Sequence, residues 1–289
     1  IELKIIYEMT LLYDYRELLD LCESAKLGTV KKQISSAYEN NLAKKWTPEL
    51  NSEWSCRHYL STKMILNATA LLKALEFSTE KNMRLANSYF EYYAVLSLAR
   101  AIVYTLPTEC WNHGKIITIS HTQAINLAFG WLGRFNFQVA EDFKQKTLKL
   151  KAQRELISYR IPSSGDSNLS NTLDLEQILT TLAEVAQFNS ELLRQALDKY
   201  APKESLVILD DSHAIKIAHI AIDGFSFFDN EDAYRLSYLM RKMPSPQPLH
   251  FTMTEGMTED FFGAWDSDSE DEQFSMGNPS EWQTIFDIP

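Results

Sequence analysis

Cysteine is scarce in this chain: Cys22, Cys56 and Cys110 are the three in 289 residues, stand far apart and form no Cys-x-x-Cys pair. That pattern excludes a disulfide scaffold and a zinc-holding cysteine pair, and it fits a reducing compartment. Glycine and proline are equally sparse, nine of each, too few for the many tight turns of an all-β sandwich or barrel. No charged-then-apolar leader opens the chain at Ile1, so a soluble, cytoplasmic protein is the expectation. Nucleotide signatures are missing too, with neither Gly-x-x-x-x-Gly-Lys-Ser/Thr nor Gly-x-Gly-x-x-Gly anywhere. A Gly-x-Ser-x-Gly elbow and a His-Glu-x-x-His pair are likewise absent. ATP, dinucleotide, acyl-serine and zinc-helix chemistry therefore have no support, and no cofactor is expected.

Positive charge disappears from one end. Between Leu249 and Pro289 there is no Lys or Arg, while ten carboxylates occur. Removing those ten from the formal charge of −11 leaves about −1 for the first 248 residues, so the tail carries the imbalance.

What is present favours helix. Hydrophobic residues make up 45% of the chain, enough for a substantial core, and Leu, Ala, Glu and Lys are plentiful. The longest apolar run, Leu85 to Leu106, is about the length of a membrane span. Glu91 and Arg100 lie inside it, and each central charge would cost roughly 2.5–3.5 kcal/mol on insertion. A buried core helix is the better reading, and a membrane is not expected as a partner.

Helical spacing recurs along the chain. Ile5, Met9, Leu12, Tyr15, Leu19 and Cys22 share a first face that Gly28 is expected to interrupt; Val30, Ile34, Ala37 and Asn41 share a second, expected to stop at Thr47-Pro48. Ala68, Leu71 and Leu75 mark a third helix. The fourth, through Leu85, Tyr89, Tyr92, Leu96, Ala99 and Val103, is apolar nearly all round and belongs at the centre of a bundle. Trp111–Ile119 reads as a short strand or a loop, and Ser120 to Gln123 has capping-box spacing ahead of a fifth helix. A basic helix follows, then a polar Gly/Pro/Ser loop at 161–168, then a long amphipathic helix starting near Asp174 and stopped by Pro202. Leu206-Val207-Ile208-Leu209 is a short apolar run; 213–222 fits strand or helix, and Glu231–Arg241 looks helical.

The expected fold class is mainly α, a helical bundle with a short β element around residues 205–222 and an acidic C-terminal tail. The expected divisions are a helical body at 1–200, a small α/β or helical extension at 201–243, a Pro-rich linker at 244–248 and an acidic aromatic tail at 249–289.

Three clusters carry the candidate chemistry. Asp210, Asp211 and His213 form a compact set of metal-ligand types at the end of an apolar run. An Asx turn is the commoner use of such residues, and no fourth ligand is evident, so no metal is expected. Lys144, Lys146, Lys149, Lys151 and Arg154 lie along one helical segment that could contact nucleic acid or the acidic tail. Glu141, Asp142 and Glu155 are interleaved with them, which favours an ordinary solvated face. The tail gives the sharpest signal. Phe261, Phe262, Trp265, Trp282 and Phe286 punctuate a carboxylate-rich stretch that includes Asp266, Asp268, Glu270 and Asp271. A solubilising tail needs no aromatics, whereas acidic segments with spaced aromatics dock on basic, apolar grooves.

Tyr89-Phe90-Glu91-Tyr92-Tyr93-Ala94, running into Leu98-Ala99-Arg100-Ala101, together with Arg154-Glu155-Leu156-Ile157-Ser158-Tyr159-Arg160 before Ile161-Pro162-Ser163-Ser164-Gly165, resembles proteins of the HEPN superfamily. These are helical-bundle domains frequent in toxin–antitoxin and antiphage systems, and the resemblance covers about residues 60–200. Active members cut RNA with an Arg-x4–6-His motif, and no arginine here is followed by histidine at that spacing. The resemblance therefore implies a non-catalytic scaffold, an accessory subunit in antiphage or anti-plasmid defence. The expected function is an adaptor or regulatory subunit whose tail docks on the basic surface of another protein subunit, with nucleic-acid association through that partner. The alternative is an enzyme, either a divergent nuclease or a metal-dependent hydrolase using Asp210, Asp211 and His213.

Overall fold

In the computed structural model, residues 13–166, 169, 175–208, 212–266 and 275 are described. The fold is mainly α, with one short β-hairpin. Among the described residues, no helix is long and apolar enough to cross a membrane.

The first helices correct one sequence expectation, the interruption at Gly28. Ile5, Met9 and Leu12 lie outside the described residues, and α1 spans Arg16–Leu21. Helix α2, Ser24–Asn41, runs straight through Gly28. A mid-helix glycine costs only about 1 kcal/mol, and burial of Leu27, Val30, Ile34 and Tyr38 outweighs it. The second segment ends before Thr47-Pro48, as expected, with a helix to Asn41 and a 3-10 turn at Ala43–Lys45, and Pro48 starts α3, Pro48–Glu80. Proline fits the first helical turn because its missing N–H would have no partner there, and the Thr47 hydroxyl accepts the Leu50 N–H at 3.3 Å.

Helix α4, Arg84–Thr105, returns along α3 and touches α5 (His121–Leu132), α6 (Phe137–Arg160) and α7 (Leu175–Tyr200). Its central place agrees with its all-round apolar surface. The Trp111–Ile119 stretch is a 3-10 turn, with His113 and Gly114 at φ 54° and 86°, rather than a strand. Ser120 caps α5 by accepting the Gln123 N–H at 3.2 Å, as its spacing predicts. Helix α7 is the second central element, packing on α1 to α5; its start near Asp174 lies outside the described residues.

The buried end of α4 is closed by side chains. Arg57 on α3 donates to the carbonyls of Tyr104 (2.7 Å), Leu106 (2.8 Å) and Glu109 (2.8 Å), and its guanidinium lies 3.7 Å from the Trp54 ring centroid. Tyr38 donates to the Thr105 carbonyl, and Asn189 on α7 donates to the Thr105 hydroxyl at 3.0 Å. Carbonyls at a helix C-terminus have no partner within the helix, so a buried cation there answers both their hydrogen-bonding need and the helix dipole.

After α7 the chain forms α8 (Ser212–Ala218), strands β1 (His219–Ile222) and β2 (Phe225–Phe228), then α9 (Asn230–Lys242), α10 (Leu249–Thr252) and α11 (Glu255–Gly263). The expected β element thus begins at His219 and extends past 222 into a second strand. Leu206 and Val207 form bends and Ile208 has no regular structure, so no strand forms there; Leu209 lies outside the described residues. Residues 244–248 are strapped down. Asn51 donates to the Pro244 carbonyl at 2.6 Å, His58 Nδ1 bonds the Gln247 carbonyl at 2.6 Å, and Arg194 reaches Ser245 Oγ at 2.7 Å.

Candidate interaction site

The expected tail begins as folded structure. Helix α11 opens at Thr254, whose hydroxyl accepts the Met257 N–H at 3.3 Å. Its inner face buries Met257 and Phe262, and Phe261, half-buried, meets Phe262 edge-on with ring centroids 5.6 Å apart. Asp260 forms an ion pair with Arg235 on α9. Beside it, Tyr59 donates to Asp232 at 2.6 Å and Lys63 contacts the same carboxylate at 2.6 Å and Asp229 at 3.4 Å. Burial and then the adjoining Asp232 carboxylate push the Tyr59 hydroxyl far above its ordinary range, so it stays a donor and fixes α9 against α3. Tyr59, Lys63, Asp232, Arg235, Phe261 and Trp265 line a cavity of about 230 Å³.

The side chains of this junction divide into two sets. Phe262 anchors the tail root to the body. Trp265, 66% exposed, and Asp266, also exposed, face solvent at the point where the described tail ends. Asp268, Glu270, Asp271, Trp282 and Phe286 lie outside the described residues. Arg235 is a cation that meets the tail root, at Asp260.

The basic segment Lys144–Arg154 occupies α6 and is largely paired with that helix's own carboxylates. Lys146 bonds Asp142 at 2.7 Å; Lys151 and Arg154 approach Glu155 at 4.0 and 3.6 Å. Lys149 is exposed, and Lys144 lines a groove of about 410 Å³ with Phe129, Gly130, Gly133, Arg134 and Phe137. Arg154 also lies 5.3 Å from the ring centroid of Tyr92 and 5.9 Å from that of Tyr93. Tyr92 in turn bonds His121 Nδ1 at 3.0 Å, and Tyr89 bonds Ser158 at 2.9 Å. Burial first, then Arg100, Arg154 and Lys151, hold His121 below its ordinary pKa, so it is neutral at physiological pH. The two stretches that carry the HEPN resemblance are therefore in contact with each other.

Of the metal-ligand candidates, Asp210 and Asp211 lie outside the described residues, and His213 is half-buried at the second position of α8. Among the described residues, no group of three metal-ligating side chains comes together.

The short β element expected around residues 205–222 is the first strand of a β-hairpin, β1–β2. Asp223 and Gly224, at φ 50° and 85°, form its two-residue turn. Both central residues of a type I′ turn need positive φ, and Asp-Gly is a strong hairpin signal between apolar runs. Register pairs Ile222 with Phe225 and Ile220 with Phe227. Alternation then puts Ile220, Ile222, Phe225 and Phe227 on one face. Ile222 is 56%, Phe225 70% and Phe227 55% exposed. His219, Ala221, Ser226 and Phe228 share the other face, where Ser226 Oγ and His219 Nε2 are 2.9 Å apart.

No family model matches the chain, and no curated protein or solved structure shows significant similarity to it.

Proposed function

We propose that this chain is a non-catalytic helical adaptor or regulatory subunit of a multiprotein complex, and that its acidic aromatic tail docks on a basic surface of another protein subunit. One observation carries the reading. The tail root is held by buried Met257 and Phe262 and by the Asp260–Arg235 pair, while the Trp265 ring is largely exposed. A tail with a fixed exit loses less freedom on docking than one that leaves the body anywhere, and its carboxylates steer it toward positive surfaces. The defence setting follows from the HEPN resemblance, and any nucleic-acid association runs through the partner.

The test is affinity capture from the native cell after nuclease treatment, comparing the full chain with a version truncated after Asp266. A stoichiometric partner held by the full chain, lost on truncation and released by rising salt is the expected result. A partner retained equally by both versions, or none with either, overturns the proposal.

A further inference from the structure

We propose that the hairpin is a self-association element: the outer edge of β2 pairs antiparallel with the same edge of a second copy, joining two hairpins into one four-stranded sheet.

The turn fixes which backbone groups face outward. In a two-residue hairpin the residues flanking the turn form a hydrogen-bonded pair, and such pairs alternate with non-bonded ones. Ile222–Phe225 and Ile220–Phe227 are then bonded pairs. The next bonded position is Ala218 with Asp229, and the Asp229 N–H does donate to the Ala218 carbonyl, at 2.9 Å. Ser226 and Phe228 therefore turn their N–H and C=O groups away from β1. Among the described residues no third strand meets that edge.

Exposed edges are ordinarily blunted by lysine, proline, a bulge or a covering loop. Neither strand, His219–Ile222 nor Phe225–Phe228, contains Lys, Arg, Asp, Glu or Pro. An uncharged edge suits an identical edge, because a two-fold axis sets residue i against j and j against i within the same strand, and no charges there can oppose. With the axis at Ser226, the two Ser226 residues exchange N–H···O bonds, and Phe225 of each copy lies opposite Phe227 of the other. All four rings fall on one sheet face, together with Ile220 and Ile222 from both copies. Two-stranded hairpins are marginal in water, whereas a four-stranded sheet with one apolar face is a stable unit. Four-residue strands bury less than the roughly 800 Å² per partner of tight complexes, so the association is micromolar and concentration-dependent.

Sedimentation velocity on the full chain at 2–200 μM tests the inference. The expected result is reversible passage from 33.3 kDa to twice that mass, unchanged by truncation after Asp266, which separates this contact from the tail docking proposed above. Ser226→Pro removes the outward N–H and leaves the pairing to β1 intact; Phe225→Lys with Phe227→Lys places like charges across the axis. Both variants are expected to stay monomeric at 200 μM with an unchanged helical circular dichroism spectrum. A chain monomeric at every concentration overturns the inference, as does a dimer that survives both variants or is lost on truncation after Asp266.

Discussion

The α3–α4–α7 centre and the segment from Ser212 to Asp266 solve opposite problems. In the centre, polar side chains lie inside and tie helices together: Arg57 alone serves three carbonyls, and Asn189 links Thr105 to Trp131, whose indole N–H reaches Asn189 Oδ1 at 3.0 Å. In the second segment, apolar groups are outside: Phe225, Phe227, Phe228 and Trp265 are each half or more exposed. A buried polar group without a partner destabilises the fold directly, whereas an exposed phenyl ring costs stability little and marks a contact surface. The centre therefore serves folding, and the C-terminal segment carries the exposed apolar surface on which the proposed contacts rest.

Substitutions can break that division, and the largest effect is expected at Arg57. Arg57→Met leaves the carbonyls of Tyr104, Leu106 and Glu109 unserved, for a loss on the order of 5 kcal/mol in urea denaturation. Phe262→Ala, at the tail root, is expected to cost about 3–4 kcal/mol and to release α11 to proteolysis.

Next comes a pH effect at Glu184, which is buried on α7 and accepts the N–H groups of Glu17 (3.1 Å) and Leu18 (2.9 Å). Burial raises its carboxyl from 4.5 to about 7. A raised folded pKa means its contribution is fully present below pH 4.5 and is lost as the pH rises through about 7. Glu184→Gln removes that loss, so the stability of the variant relative to the native chain should climb by roughly 2 kcal/mol between pH 4.5 and 7.5; a flat difference contradicts the assignment. The smallest effect is expected at Trp265→Ala, within about 0.5 kcal/mol of native stability and with capture of the partner weakened tenfold or more. A Trp265 variant that unfolds but still binds would invert the comparison.

The centre was legible in the sequence because its signals are local. Tyr92, Leu96, Ala99 and Val103 repeat at helical spacing, and Ser120 and Gln123 announce a helix start; both readings match the structure. Gly28 misled because a glycine within a helix that buries a packed face is tolerated, whereas Pro48 marks the expected break and, at a first turn, also starts the next helix. The second strand of the hairpin was missed for another reason. Ile and Ala in 213–222 fit helix or strand, and the Asp223-Gly224 turn that decides the matter lies just beyond that stretch. Arg57 and the Tyr92–His121–Arg154 contacts join residues from 29 to 62 positions apart or serve a distant helix end, and no periodicity reports such pairings. The tail was recognised from charge and aromatics, but its docking on Arg235 depends on the return of α11 to α9, which composition does not encode.

Amide hydrogen exchange on the captured complex against the free chain tests the division most directly. New protection is expected within residues 255–266 of the complex and, when the free chain is raised from about 2 to about 200 μM, within residues 219–228, with α3, α4 and α7 unchanged in both. Protection gained along α6 at Lys144–Arg154, with none at the hairpin or the tail root, would contradict it and make the basic helix the recognition surface.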